Sequence, residues 1–179
     1  KAGIPLYTCP TAETNIYDTI YHSSTHIIRD LVTATAQGKN MLMNIVPKSD
    51  GSIHPRDVKA LKDIAKWWKV NGETSIRGTS KTSLTPQNWG ESTRKGDTLY
   101  LHVFNPPKDG KLIVDGLSTD INKAYLLYNK LNQLKTTRVG EHVIIDMPRG
   151  INEITNIVVV LELEKNIKAF IPTSNSLNL

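Results

Sequence analysis

Met41-Leu42-Met43-Asn44-Ile45-Val46 is the stretch on which the fold turns. It is too short for a helix and too continuously apolar for a half-exposed strand, so it predicts a strand buried on both faces. Its flanks fix the class. Upstream, Ser23 or Ser24 can cap a helix in which Ile27, Ile28, Leu31, Val32 and Thr35 recur on one face until Gly38 stops it. Downstream, Pro47-Lys48-Ser49-Asp50-Gly51-Ser52 is a turn-rich loop, and Pro55 stands where the first helical residue belongs. Val58, Leu61, Ile64, Ala65 and Trp68 then make an apolar stripe, which Asn71-Gly72 is expected to end in a left-handed conformation. Helix, buried strand, helix is the end of a β/α repeat. One repeat cannot shield its own strand, because a parallel strand needs neighbours on both sides and helices above and below.

Past Gly78 the pattern changes. Thr79 to Trp89 is rich in Ser, Thr, Lys and Gln, which suits an exposed connection. Short β-rich runs follow at 98–104, 111–114, 123–128, 142–145 and 157–163, separated by turns such as Asn105-Pro106-Pro107-Lys108-Asp109-Gly110 and Pro148-Arg149-Gly150. That spacing predicts an antiparallel β-sandwich. The boundary between the two regions falls near residues 76–82, and the chain beyond Ile171 reads as a frayed tail.

Composition narrows the function classes. At 179 residues, with 39% hydrophobic and 22% charged residues, the chain is of a globular kind, able to bury roughly 70% of its unfolded surface. No long apolar run predicts a membrane span. The net charge of +5 comes from 22 basic and 17 acidic residues that are interspersed, and only 6% of residues are aromatic, so nucleic acid is not an expected partner. Cys9 is a lone cysteine, unable to form an internal disulfide, and reads as a small buried hydrophobe. The chain opens on Lys1 rather than Met and without a signal-peptide pattern, which predicts a start inside a longer protein.

Several blocks resemble the α-L-fucosidases, the retaining enzymes of glycoside hydrolase family 29. Asn40-Met41-Leu42-Met43-Asn44-Ile45-Val46-Pro47, followed by Asp50-Gly51 and Ile53, resembles that family's Asn-Leu-Leu-Leu-Asn-Ile-Gly-Pro, Asp-Gly, Ile signature. Trp67 to Asn71-Gly72-Glu73 and Gly78-Thr79 resemble the end of its helix, and Leu99-Tyr100-Leu101-His102-Val103-Phe104-Asn105 with Pro107 resembles the opening of its C-terminal sandwich. The resemblance implies the last β/α unit of a (β/α)8 barrel in residues 1–78, an antiparallel β-sandwich in 79–171 and a tail in 172–179. It further implies removal of terminal α-L-fucose from glycans by double displacement, with the nucleophilic carboxylate on a strand upstream of Lys1. The partners implied are a fucosylated glycan and that missing N-terminal barrel portion; the compartment implied is secreted, periplasmic or lysosomal. The chain departs from the family in Val46, where Gly is usual, and in Thr74-Ser75-Ile76-Arg77. It also lacks the Trp-Gly-Tyr that many members carry before the first helix.

Glu13 is the candidate general acid, on a loop that belongs at the C-terminal rim of the barrel. That role needs a pKa raised by partial burial and a second carboxylate about 5–5.5 Å away; the plain alternative is a solvated loop glutamate. Asp18 reads as a turn residue. Tyr17, Tyr21 and His22 are candidates for the sugar pocket, since a pyranose offers an apolar face to a ring and hydroxyls to a polar tip, with core packing as the alternative. Asn44 ends the key strand, where its amide orders the pocket loop or caps it. His22 and His26 stand one helical turn apart, but no glutamate between them matches a zinc-hydrolase helix, so neither metal nor cofactor is expected. Trp67 is expected to pack on the following domain. A non-catalytic carbohydrate-binding or scaffold protein that kept the fold is the competing reading, motivated by the altered segment around Glu13.

Overall fold

The structure, a computed structural model, describes residues 6–10, 12–14, 19–45, 47–151 and 156–164, with side chains from His22 onward. Its first strand, β1 (Leu6–Pro10), pairs in parallel with β4 (Asn40–Asn44), in a register that runs from Leu6 opposite Asn40 to Pro10 opposite Asn44. Between them lie an antiparallel hairpin, β2 (Ala12–Thr14) with β3 (Thr19–Tyr21), and helix α1 (Ser24–Ala36). Ser23 caps α1, its Oγ accepting from the His26 N–H at 3.1 Å, and the helix buries Ile27, Ile28, Val32 and Ala34.

The predicted strand is present with a helix on each side, but burial on both faces is not. Leu42 is 48% exposed and Ile45 36%, while Met41 and Met43 are half-buried. The physical reason is the lack of cover. Among the described residues β4 has one strand neighbour, β1, so its other edge and much of its surface meet solvent.

Helix α2 (Pro55–Trp67) starts at the expected proline, with His54 Nδ1 accepting from the Arg56 N–H at 3.2 Å. The expected stop at Asn71-Gly72 is not found. The chain continues through a π-helical turn (Trp68–Gly72) and a last helical turn (Glu73–Ser75) before Gly78 takes φ +69°. Gly72 keeps a helical φ of −64° and is needed for space instead, because a Cβ there would run into the rings of Trp67 and Trp68. The buried stripe is also shifted by one position from the expected one, to Asp57, Ala60 and Trp67. Tertiary contact decides this: the Trp67 ring N–H donates to Asn156 O, 3.2 Å away and far along the chain.

The other nine strands among the described residues form two antiparallel sheets, one of which ends in a two-residue edge strand. The larger sheet has the order β10 (Asn129–Gln133), β9 (Ile121–Leu126), β13 (Ile157–Leu163), β7 (Thr98–Val103), β6 (Gly90–Lys95), β5 (Ser80–Lys81). The smaller has the order β11 (Thr136–Val139), β12 (His142–Asp146), β8 (Lys111–Asp115). Leu112, Val114, Val143 and Ile145 of the small sheet meet Leu99, Leu101, Val103, Leu126, Val159 and Leu161 of the large one, which makes the predicted sandwich core. Strands β5, β6, β10 and β11 are additions to the sequence reading; they are rich in polar residues and lack an apolar alternation. The tail from 165 onward lies outside the described residues.

The other face of the large sheet is covered too. Helix α1 packs against β5 and β6, and Ile28, Val32, Trp67 and Ile76 form a second cluster against which Phe104 rests. Arg29 crosses this junction, its Nη2 donating to Phe104 O at 2.5 Å and its guanidinium lying 5.2 Å from the Phe104 ring centre. Gly90, at φ +153°, is required at the edge of the junction, since a Cβ would strike the His102 carbonyl oxygen.

Candidate functional site

Parallel pairing puts the C-terminal ends of β1 and β4 side by side, Pro10 opposite Asn44. The chain leaves Pro10 into the β2–β3 hairpin, which carries Glu13 opposite Ile20 and Tyr21 opposite Ala12. It leaves Asn44 into the loop that leads to α2. Glu13, Tyr21 and Asn44 therefore belong to one end of one parallel pair, the end at which α/β folds gather their ligand groups. Sequence reasoning saw Glu13 on a loop but missed β1 and the hairpin that position it. The signal was there in Leu6-Tyr7-Thr8-Cys9-Pro10, a β-prone run closed by a proline.

The remaining candidates divide. Asn44 is exposed, and Cys9 lies in β1 opposite Met43 in register. Tyr17 and Asp18 lie outside the described residues. His22 is half-buried and its ring stacks on that of His26, with centroids 4.4 Å apart and planes 13° from parallel. His26 Nε2 in turn sits 3.2 Å from Asp30 Oδ2 on α1. No three His, Cys, Asp or Glu side chains among the described residues converge as a metal site would require.

The loop after β4 is ordered by its own acid. Asp50 Oδ1 accepts from the Ser52 N–H at 2.9 Å and from its hydroxyl at 2.6 Å, Gly51 turns at φ +81°, and Pro47 bridges to Ile53. Those hydrogen bonds from Ser52 hold the Asp50 carboxyl below the usual carboxylate range. Asp50 and Gly51 thus build the turn in the loop that follows Asn44.

Open clefts among the described residues lie elsewhere, on the sandwich. One runs between the turns at 107–111 and 146–151 and is spanned by the Lys111–Asp146 ion pair at 2.7 Å. No catalytic pairing of carboxylates occurs there, and the strand ends carry the stronger argument.

Known proteins resemble this chain in sequence and in fold. Residues 5–73, which include β1, the hairpin, β4 and both helices, match the family model for α-L-fucosidase. The α-L-fucosidase of Dictyostelium discoideum is 34% identical over 113 residues, 61% of this chain and 24% of that protein. The human plasma α-L-fucosidase is 31% identical over 98 residues, 52% of this chain and 21% of that protein. The chain thus spans about a quarter of the length of the curated relatives it matches. Among solved structures, α-L-fucosidase isoenzyme 1 from Paenibacillus thiaminolyticus superposes with a TM-score of 0.79 at 24% identity, over 89% of this chain and 39% of that one. A family 29 α-L-fucosidase from Bacteroides thetaiotaomicron, trapped as a covalent intermediate, does so at 0.79 and 23%, over 89% and 38%. At such identities the superpositions establish the fold, helical layer and sandwich together. Family match, curated relatives and shared fold together support a fragment similar to the α-L-fucosidases.

Proposed function

We propose that residues 1–78 are the end of the (β/α)8 barrel of a retaining α-L-fucosidase and residues 79–171 its C-terminal sandwich. On this reading the enzyme removes terminal α-L-fucose from glycans. The observation that carries it is the parallel β1–β4 pair, whose adjacent C-terminal ends deliver the Glu13 hairpin and the Asn44 loop to one place. A two-stranded parallel sheet with Leu42 in solvent is what one sector of a barrel looks like without its neighbours.

In the proposed mechanism a carboxylate from a segment outside these 179 residues attacks the anomeric carbon, while Glu13 protonates the leaving oxygen. Glu13 then takes a proton from the water that hydrolyses the glycosyl-enzyme. Tyr17, Tyr21, His22 and Asn44 line the sugar pocket. The 179-residue chain, without the nucleophile, binds poorly and turns nothing over.

Two assays test this. The purified chain should leave 4-nitrophenyl α-L-fucoside intact, and measurable hydrolysis would overturn the division of catalytic groups. In the longer protein, Glu13→Gln should lower kcat by roughly 10²–10⁴-fold, the usual worth of a general acid. An unchanged rate removes Glu13 from that role, and fucose binding without any turnover in the unaltered longer protein would favour the non-catalytic reading.

A further inference from the structure

The buried side-chain nitrogens and oxygens without a partner among the described residues are Arg29 Nε, Asn71 Oδ1, His102 Nδ1 and both amide atoms of Asn156. They share one seam, where the helical layer meets the outer face of the large sheet. Arg29 reaches Phe104 O across it, Trp67 reaches Asn156 O, and Thr93 Oγ1 donates to Ser75 O at 2.7 Å. Ser75 in turn donates its hydroxyl to Asn71 O at 2.8 Å.

His102 is the titratable group in this thread. It is fully buried, and its Nε2 lies 3.1 Å from Thr93 Oγ1. Because the Thr93 hydroxyl proton is committed to Ser75 O, the Thr93 oxygen accepts, and the imidazole carries its proton on Nε2. Nδ1 is left as a bare lone pair. A second proton would land there and put a cation in the seam with no carboxylate paired to it.

We propose that His102 makes this seam an acid-sensitive latch: the neutral ring holds the helical layer on the sandwich, and protonation releases it. Burial pushes the His102 pKa down to about 3 in the closed form, whereas an open seam returns it to about 6.5. A folded value below the open one means the latch is at full strength above the open value and weakens as pH falls from there towards the closed one.

Other charges around His102 modify this without reversing it. Glu91, its cross-strand neighbour on β6, has its carboxyl pushed up by burial. It therefore favours the closed form as pH falls through the range just above the ordinary carboxylate value, opposing His102. Arg29 brings a guanidinium to the seam, bonded to Phe104 O. Glu73 and Arg77, on and just after the last helical turn, are exposed and paired at 3.1 Å. On β13 the residue opposite His102 is Val158, and Glu162 lies farther along beside Tyr100 and Tyr125, whose phenols burial raises still further above their ordinary alkaline range.

Hydrogen exchange on the 179-residue chain tests the latch. Between pH 7 and pH 4.5 the protection factors of amides 68–75 should fall by roughly a hundredfold, while those of β8 and β12 stay within about threefold. His102→Gln, which keeps an N–H for Thr93, should abolish the fall, and Glu91→Gln should enlarge it. A fall that persists in His102→Gln overturns the proposal, as does unchanged protection in the unaltered chain. If His102→Gln does not fold, the imidazole signal of His102 in the unaltered chain decides: no titration above about pH 4 in the closed form supports the latch, and titration near 6.5 with the seam still protected sinks it.

Discussion

Strands β13 and β4 are built from the same kind of sequence and meet different fates. Ile157-Val158-Val159-Val160-Leu161 is an unbroken apolar run, and each of the five is at most 1% exposed. Met41-Leu42-Met43 is equally apolar, yet Leu42 stands nearly half in water. β13 has strands on both sides, β9 and β7, and its odd residues 157, 159 and 161 face the sandwich core. Its even residues, Val158 and Val160, pack with Tyr100 and Leu127 on the outer face. β4 has β1 and little else. The comparison teaches that a two-sided apolar run states a demand for cover, and that the rest of the structure determines whether the demand is met.

The difference is measurable. Leu161→Ala should cost roughly 2–5 kcal/mol in urea unfolding, the usual range for a buried leucine whose site does not collapse. A cost under about 1 kcal/mol would mean that the sandwich core is not the unit that unfolds cooperatively. A smaller loss is expected where the helical layer meets the sheet. Gly72→Ala pushes a methyl into the Trp67 and Trp68 rings and should cost about 1–3 kcal/mol. Its thermal transition, followed by tryptophan emission, should move down with the signal of the helical layer leading; an unchanged midpoint would show that the rings are not wedged there.

The smallest effect sharpens the comparison most. In the 179-residue chain Leu42→Ala should alter stability by no more than about 0.5 kcal/mol, since an exposed side chain leaves no cavity. In the longer enzyme proposed above the same substitution should cost roughly 2–5 kcal/mol, because neighbouring strands and helices would then enclose it. Equal small costs in both would break the barrel assignment while leaving the sandwich untouched.

Much of this architecture was legible in the residues. The Ser23 cap and Gly38 stop of α1, Pro55 at the start of α2, the strands around Leu101, Val114, Ile145 and Val159, and the turn at Asp50-Gly51 all follow from local propensities and periodicity, which act over a few residues. Trp67 was also expected to face the following domain, and its bond to Asn156 O bears that out. What was illegible was long-range. The hairpin that carries Glu13 needs Tyr21 to find Ala12, and β1 needs β4, pairings that no local pattern specifies.

The residues alone gave away α1, the start of α2, β4 and the apolar strands of the sandwich, because each is written in a local pattern. Only the folded arrangement settled that Gly72 serves ring packing rather than a helix stop, that β4 is left half in solvent, and that His102 sits uncharged in the seam. Propensity is a property of neighbours in the chain, whereas burial and protonation depend on which distant groups arrive, and only the assembled fold fixes those.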